Sequence, residues 1–364
     1  GYEGENPWND YANAADGPDG EILSGWHLKN SNLPARVKEE HSETAYMTLR
    51  AREFIEDSGD TPWLCHLSYI KPHWPYMAPA PYHDMYGPET FLPVVRSEKE
   101  REDPNPVFDA FMNMEVSEVF SAQGTRETVL PAYMGLIKQI DDHLGRLFDW
   151  LEETGKADET MIVLTSDHGD YLGDHWMGEK ELFHEPSVRI PLIVADPSES
   201  ADLSRGCASQ ALVEGIDLIP TFIEVLGGDP HQPWLEGRSF LDILHGRDAE
   251  SRDFVVAELD YFARKARLEL KVAADRAKGW MVRSERWKYV FYEGFDSQLF
   301  DLEGDPNELV DRASDPSCQG ILDEHRDRLF HWFRCRKSTV TVDYAYLDTR
   351  HEFATRGGFI FGEW

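Results

Sequence analysis

Cysteine is scarce in this chain. Cys65, Cys207, Cys318 and Cys335 are the only four in 364 residues, and no two stand in a C-x-x-C pair. That excludes a disulfide framework and a thiolate zinc site, and it predicts a reducing, cytoplasmic setting. Long apolar runs are missing too: none approaches the roughly 18–20 residues that cross a bilayer, so no membrane span is expected. Basic residues are outnumbered, 36 Lys and Arg against 68 Asp and Glu, for a formal charge of −32. A field of that sign repels nucleic acid and anionic membrane surfaces, and neither is an expected partner. An anionic small molecule would need a locally positive pocket. The chain also lacks an initial methionine and opens at Gly1 in a turn-rich stretch, which leaves room for a signal peptide upstream.

What is present suits a large globular core. With 41% hydrophobic residues over 364 positions, the length predicts one large domain and a smaller one. The stretch from Met161 to Arg189 carries the densest chemistry. Met161 to Thr165 reads as a short buried strand in the middle of a parallel sheet, because it is an almost unbroken apolar run closed by polar turn residues. Asp167 and His168 then fall just past its carboxyl end, where open α/β sheets present ligands, and Gly169 lets the backbone turn away. A carboxylate and an imidazole side by side can reach one divalent cation; Asp174, His175, Lys180 and His184 follow closely. Taken alone, an Asp after a strand is as readily a helix N-cap.

A second strand is expected at Trp63–Ile70, delivering Lys71, Pro72, His73, Trp74 and Pro75 to the same sheet edge. Between prolines and aromatics His73 could serve packing; equally, a proline-stiffened turn could aim one imidazole at an anion. A helix is predicted from His41 to Asp57, with Ser42 as cap, Glu39 and Glu43 suiting the first turn, and Ala45, Leu49, Phe54 and Ile55 as its apolar face. Pro79 to Gln123 is proline-rich and reads as a wall or lid. Tyr133–Glu153 is amphipathic, with Ile137, Ile140, Leu144, Leu147, Phe148 and Leu151 as the stripe; Asp141 and Asp142 face solvent or pin a neighbouring loop. A third strand (Ile190–Ala195) and a helix near Gly215–Leu226 complete a mostly parallel sheet flanked by helices. From Phe254 onward, V-V-A-E-L, W-M-V-R, W-K-Y-V-F-Y and Q-L-F-D-L are short strands of an antiparallel sheet, against which a helix with Ile321, Leu322, Leu329, Phe330 and Phe333 packs. The expected domains are thus 1–250, 251–343 and a tail, 344–364, whose aromatics and glycines suit gripping another subunit, so a homo-oligomer (tetramer or dimer) is expected.

The run T-S-D-H-G-D-Y-L-G-D-H, the later Lys180 and the segment from Ser187 to Val194 resemble the second metal-binding motif of the sulfatase family in the alkaline-phosphatase superfamily. Within it the likeness is greatest to phosphonate monoester hydrolases. The resemblance extends over K-P-H-W-P-Y, the Tyr133–Leu147 helix, G-I-D-L-I-P-T-F, R-x-x-x-W-K-Y with L-F-D-L-x-x-D-P-x-E, and the G-G-F-I-F-G-E-W terminus. It implies an alkaline-phosphatase-like α/β fold with a smaller C-terminal α+β domain. It implies a hydrolase of a small anionic ester in which Asp167 and His168 bind a metal and Lys180 neutralises charge on the transferred group. His73 would bind a non-bridging oxygen or protonate the leaving oxygen, and Lys71 would help bind substrate. His175 and His184 would support these groups from behind.

The family's nucleophile is a formylglycine made from the cysteine of a C-x-P-x-R motif. None of the four cysteines stands in that frame, nor does a serine or threonine, and the strand bearing the family's first acidic metal ligands is also absent. The expectation is a fragment lacking its N-terminal part, which would hold the formylglycine, and inactive alone. Nitrogen ligation by His168 favours manganese or zinc over calcium. The leading expectation is a metal-dependent hydrolase of phosphonate monoesters and phosphodiesters. An arylsulfatase and a non-catalytic oligomerisation or binding remnant are the alternatives.

Overall fold

The computed structural model describes residues 11–247 and 252–336. The expected tail 344–364, its G-G-F-I-F-G-E-W terminus and the boundary at 250/251 lie outside them. The chain divides into two units: one takes residues up to Thr160 together with His168–Glu181, the other Met161–Asp167 together with residues from Leu182 onward.

In the first unit, β1 (Ala14–Asp16) pairs antiparallel with β2 (Ile22–Ser24). Four helices follow: α1 (Glu43–Asp57), α2 (Pro106–Met112), α3 (Glu115–Ser121) and α4 (Thr125–Glu153). Ser42 caps α1 as its sequence requires, its Oγ accepting from the Ala45 amide at 3.2 Å. The buried face of α1 is Thr44, Thr48, Ala51 and Ile55, whereas Leu49 and Phe54 are exposed, contrary to the expected apolar stripe. On α4 the buried line runs Ala132, Leu136, Gln139, His143, Leu147, while Ile137 is 46% exposed. Two polar residues hold that buried face because each has a partner: Gln139 Nε2 donates to Ser42 Oγ at 2.8 Å and His143 Nε2 meets Glu39 Oε1 at 2.6 Å. Of the expected stripe Leu147 and Leu151 are buried, and hydrophobicity misplaced Ile137. Asp142 pins a loop, accepting from Tyr82 Oη at 2.9 Å. The core gathers Leu28, Tyr76, Tyr82, Phe120, Val129 and Leu136.

Trp63–Ile70 is a correction. It is extended, with Trp63, Cys65, Leu67 and Tyr69 half-buried and Leu64 and Ile70 exposed, yet it joins no ladder among the described residues and is not a buried strand.

In the second unit, β3 (Ile162–Thr165) pairs with β4 (Leu192–Ala195), and α5 (Glu185–Val188) lies between them in sequence. The pairing is antiparallel, which corrects the parallel placement expected for these strands. A short apolar run carries no signal of strand direction. Next come α6 (Leu218–Val225), α7 (Leu241–Leu244), β5 (Phe254–Asp260), α8 (Lys265–Glu269), β6 (Lys278–Ser284), β7 (Trp287–Tyr292), β8 (Gln298–Asp301) and α9 (Gln319–Cys335). Strands β5 to β8 form an antiparallel meander in sequence order, as their alternation predicts. Val282, Tyr289, Leu299 and Leu329 pack its core against α9.

Candidate active site

The first unit builds a cluster of nitrogen bases from two loops. The turn that ends the extended Trp63–Ile70 segment is stiffened by Pro72 and Pro75, whose rings restrict φ. Within it His73 Nδ1 lies 2.7 Å from the Trp74 carbonyl, so that nitrogen carries a proton and donates. In the neutral ring Nε2 is then an acceptor, and Lys180 Nζ approaches it at 2.5 Å. His168 repeats the device: its Nδ1 donates to the Gly169 carbonyl at 2.7 Å. The two imidazoles meet edge to face, with centroids 5.9 Å apart and planes at 72°. Three of the residues singled out in the sequence, His73, His168 and Lys180, are thus brought together.

Lys71 and His175 are not in that cluster. Lys71 Nζ donates to Asn13 Oδ1 at 2.9 Å and to the Pro75 carbonyl at 2.5 Å, so it braces its own turn. Burial lowers its ammonium to about 8, against the opposing pull of Glu43. His175 is buried, with Nδ1 on Glu100 Oε1 at 2.7 Å and its amide on the Val95 carbonyl at 2.7 Å; it anchors the segment before α2.

Two residues that sequence reasoning passed over stand behind the cluster. Tyr76, fully buried, donates from Oη to Asp170 Oδ2 at 2.6 Å, and the Leu172 amide donates to Oδ1 at 3.1 Å. Burial pushes the Asp170 carboxyl up to about 6; the Tyr76 and Leu172 bonds oppose it and Glu179 adds to it. Both residues lie inside motifs that the sequence marks out, but nothing local in either motif signals their pairing across 94 positions. One hydrogen bond therefore ties the His73 turn to the His168 loop.

Asp167 and His184 belong to the second unit. Asp167 is exposed, and His184 is buried with its ring edge-on to Phe300 at 5.6 Å. Among the described residues no group of three or more His, Cys, Asp and Glu side chains is arranged to hold a metal ion. His168, with its Nδ1–H on a main-chain carbonyl, has the tautomer in which an imidazole can ligate a metal through Nε2.

Comparison with known proteins decides the family. The sulfatase family model matches residues 6–228, and that of the N-sulphoglucosamine sulphohydrolase C-terminal region matches residues 173–334. The chain belongs to the sulfatase family. The chain is 31% identical over 318 residues to the multifunctional alkaline phosphatase superfamily protein PehA of Trinickia caryophylli, a match covering 83% of this chain and 61% of that protein. It is 31% identical over 289 residues to a choline-sulfatase of Rhizobium meliloti, covering 76% and 52% respectively. Among solved structures it superposes on the phosphonate monoester hydrolase SpPMH of Silicibacter pomeroyi with a TM-score of 0.81 and 28% identity, covering 95% of this chain and 69% of that one. On the phosphonate monoester hydrolase of Agrobacterium radiobacter the TM-score is 0.73 at 25% identity, with 82% and 62% covered. The chain thus spans 52% to 61% of the length of these two curated relatives. Its fold is the alkaline-phosphatase-like α/β fold, with the four-stranded antiparallel sheet at its C-terminal side. No helix among the described residues is long and apolar enough to cross a membrane.

Proposed function

We propose that this chain supplies the anion-binding side of a metal-assisted hydrolase of phosphonate monoesters and phosphodiesters. One observation carries the reading: Lys180 Nζ lies 2.5 Å from His73 Nε2, with His73 anchored through Nδ1. An ammonium held there gives a −32 chain a positive point at which an ester anion can bind, and it gains most as charge gathers on the transferred group. With Nε2 accepting from Lys180, His73 orients the ammonium, and the proton for the leaving oxygen is the one on Nζ. Asp167 and His168 would hold a divalent cation, manganese or zinc by the nitrogen donor. Such an ion, when bound, supplies Lewis-acid polarisation of the ester oxygen. Tyr76 and Asp170 keep the two loops in register.

Attack is assigned to no residue of this chain, because no cysteine stands in a C-x-P-x-R frame. The two solved neighbours named as phosphonate monoester hydrolases support phosphorus over sulfur. A sulfate ester is the second reading, favoured by the family model and the choline-sulfatase and arylsulfatase relatives.

The test is a chimera joining these 364 residues to the part of the Silicibacter enzyme that the superposition leaves uncovered, assayed on aryl phosphonate, phosphodiester and aryl sulfate with added manganese or zinc. Metal-dependent turnover is expected, with kcat/KM falling by roughly two to four orders of magnitude in Lys180→Ala. A loss under about threefold would remove Lys180 from the site. Preference for the sulfate ester selects the second reading, and no turnover on any substrate supports a binding remnant.

A further inference from the structure

Two guanidinium groups of the first unit, on residues outside the His73, His168 and Lys180 cluster, line one cleft. A cleft of about 430 Å³ opens between the Pro88–Arg96 segment and the stretch from Phe120 to Glu127, lined among others by Phe91, Arg96, Phe120, Gln123 and Arg126. Arg96 is held over an indole: its guanidinium carbon lies 4.2 Å from the Trp176 ring centroid, and Trp176 is itself fixed by donating from Nε1 to the Ser97 carbonyl at 2.9 Å. A cation held over an aromatic face has less freedom to lose on binding, which favours a forked contact. Arg126 is tethered by Nη1, which donates to the Leu92 carbonyl at 2.8 Å.

The donors of these two groups are underused. Each guanidinium offers five N–H bonds. Arg96 spends one on the Phe120 carbonyl at 3.3 Å and Arg126 one on Leu92, and Arg126 Nε is buried with no acceptor among the described residues. Neither forms an ion pair there. Both act on the Asp174 carboxylate, whose Oδ1 accepts from the Val95 amide at 2.8 Å. Glu127 sits at the rim and is exposed, where water and salt screen it. A buried donor without an acceptor is costly, and two fixed cations facing one cleft make a site for the missing negative charge.

We infer that this cleft binds a tetrahedral oxyanion, the phosphate or sulfate group of a free ion or of an ester. Its oxygens match the planar fork of arginine and accept from both residues at once. The site is independent of the proposed hydrolytic cluster, because neither arginine belongs to it.

The test titrates the 364-residue chain with inorganic phosphate, inorganic sulfate and phenyl phosphate at constant ionic strength set with chloride, read by calorimetry. Saturable binding with a Kd on the order of millimolar is expected. It should weaken by about tenfold or more in Arg126→Gln and in Arg96→Gln, and persist in Lys180→Ala. Phenyl phosphate binding as tightly as phosphate identifies an ester group as the occupant, and phosphate or sulfate alone identifies the free ion. Should a Gln variant lose its circular-dichroism spectrum, Arg126→Lys decides, since it keeps the charge without the fork and should bind detectably more weakly. Absence of saturable binding, an unchanged Kd in the arginine variants, or loss of binding in Lys180→Ala would each overturn the assignment.

Discussion

Lys180 Nζ and His73 Nε2, 107 positions apart in sequence, stand 2.5 Å from one another. Because the imidazole accepts what the ammonium donates, the two act as one unit, and groups acting as a unit do not contribute additively. In the chimera, the double variant His73→Ala with Lys180→Ala should therefore lose hardly more kcat/KM than the worse single variant. Losses that multiply across the two would show that the pair acts separately.

Gly135 and Gly145 both lie within α4, and opposite outcomes are expected of them. An added Cβ at Gly135 would overlap the Tyr82 carbonyl oxygen, whereas at Gly145 it would meet nothing within 4 Å. Gly135→Ala should destabilise by about 1–3 kcal/mol despite the better helix propensity of alanine. Gly145→Ala should stabilise by about 0.5–1 kcal/mol. Urea midpoints of the two variants check both signs.

Lys288, fully buried, bridges Glu185 Oε1 at 2.9 Å and Glu308 Oε1 at 2.6 Å and donates to the Phe183 carbonyl at 2.8 Å. It fixes the start of α5 against β7. Lys288→Met removes the cation from buried Glu308, while Glu185 keeps Arg283 at 3.4 Å, and should lower stability by about 3–5 kcal/mol. Adding Glu308→Gln should recover part of that loss; a double variant no more stable than the single would point to lost packing instead.

Asp301 is the acid-sensitive contact of the meander. The forked bond from Arg286, at 2.8 and 2.7 Å, holds its carboxyl down at about 2, with amide donors Gly304 and Glu303 assisting. A carboxyl whose folded pKa lies below its ordinary value adds stability above that value and loses it as pH falls toward the folded pKa. The contribution is therefore complete above pH about 4 and drains away toward pH about 2. Arg286→Gln should shrink the drop in Tm between about pH 5 and pH 2. An unchanged drop would locate the acid sensitivity elsewhere.

Local signals in the sequence were sufficient for the helix capped at Ser42, for the four strands of the meander and for His73, His168 and Lys180 as candidates. Each rests on forces that act within a few residues: a side chain on its own helix start, a period of two along one strand, a motif in one loop. Packing decided the rest. Strands β3 and β4 run antiparallel, although their apolar runs fit either direction. Gln139 and His143 lie on the buried face of α4 because Ser42 and Glu39 reach across to satisfy them, which hydropathy cannot register. Lys71, beside His73 in sequence, turns its ammonium to Asn13 and Pro75. Tyr76 finds Asp170, and Arg96 and Arg126 reach one cleft, only when distant segments close. A residue's type limits what it can bond, but the partner it bonds is chosen by which segments the core brings within about 3 Å, and that is a property of the whole fold.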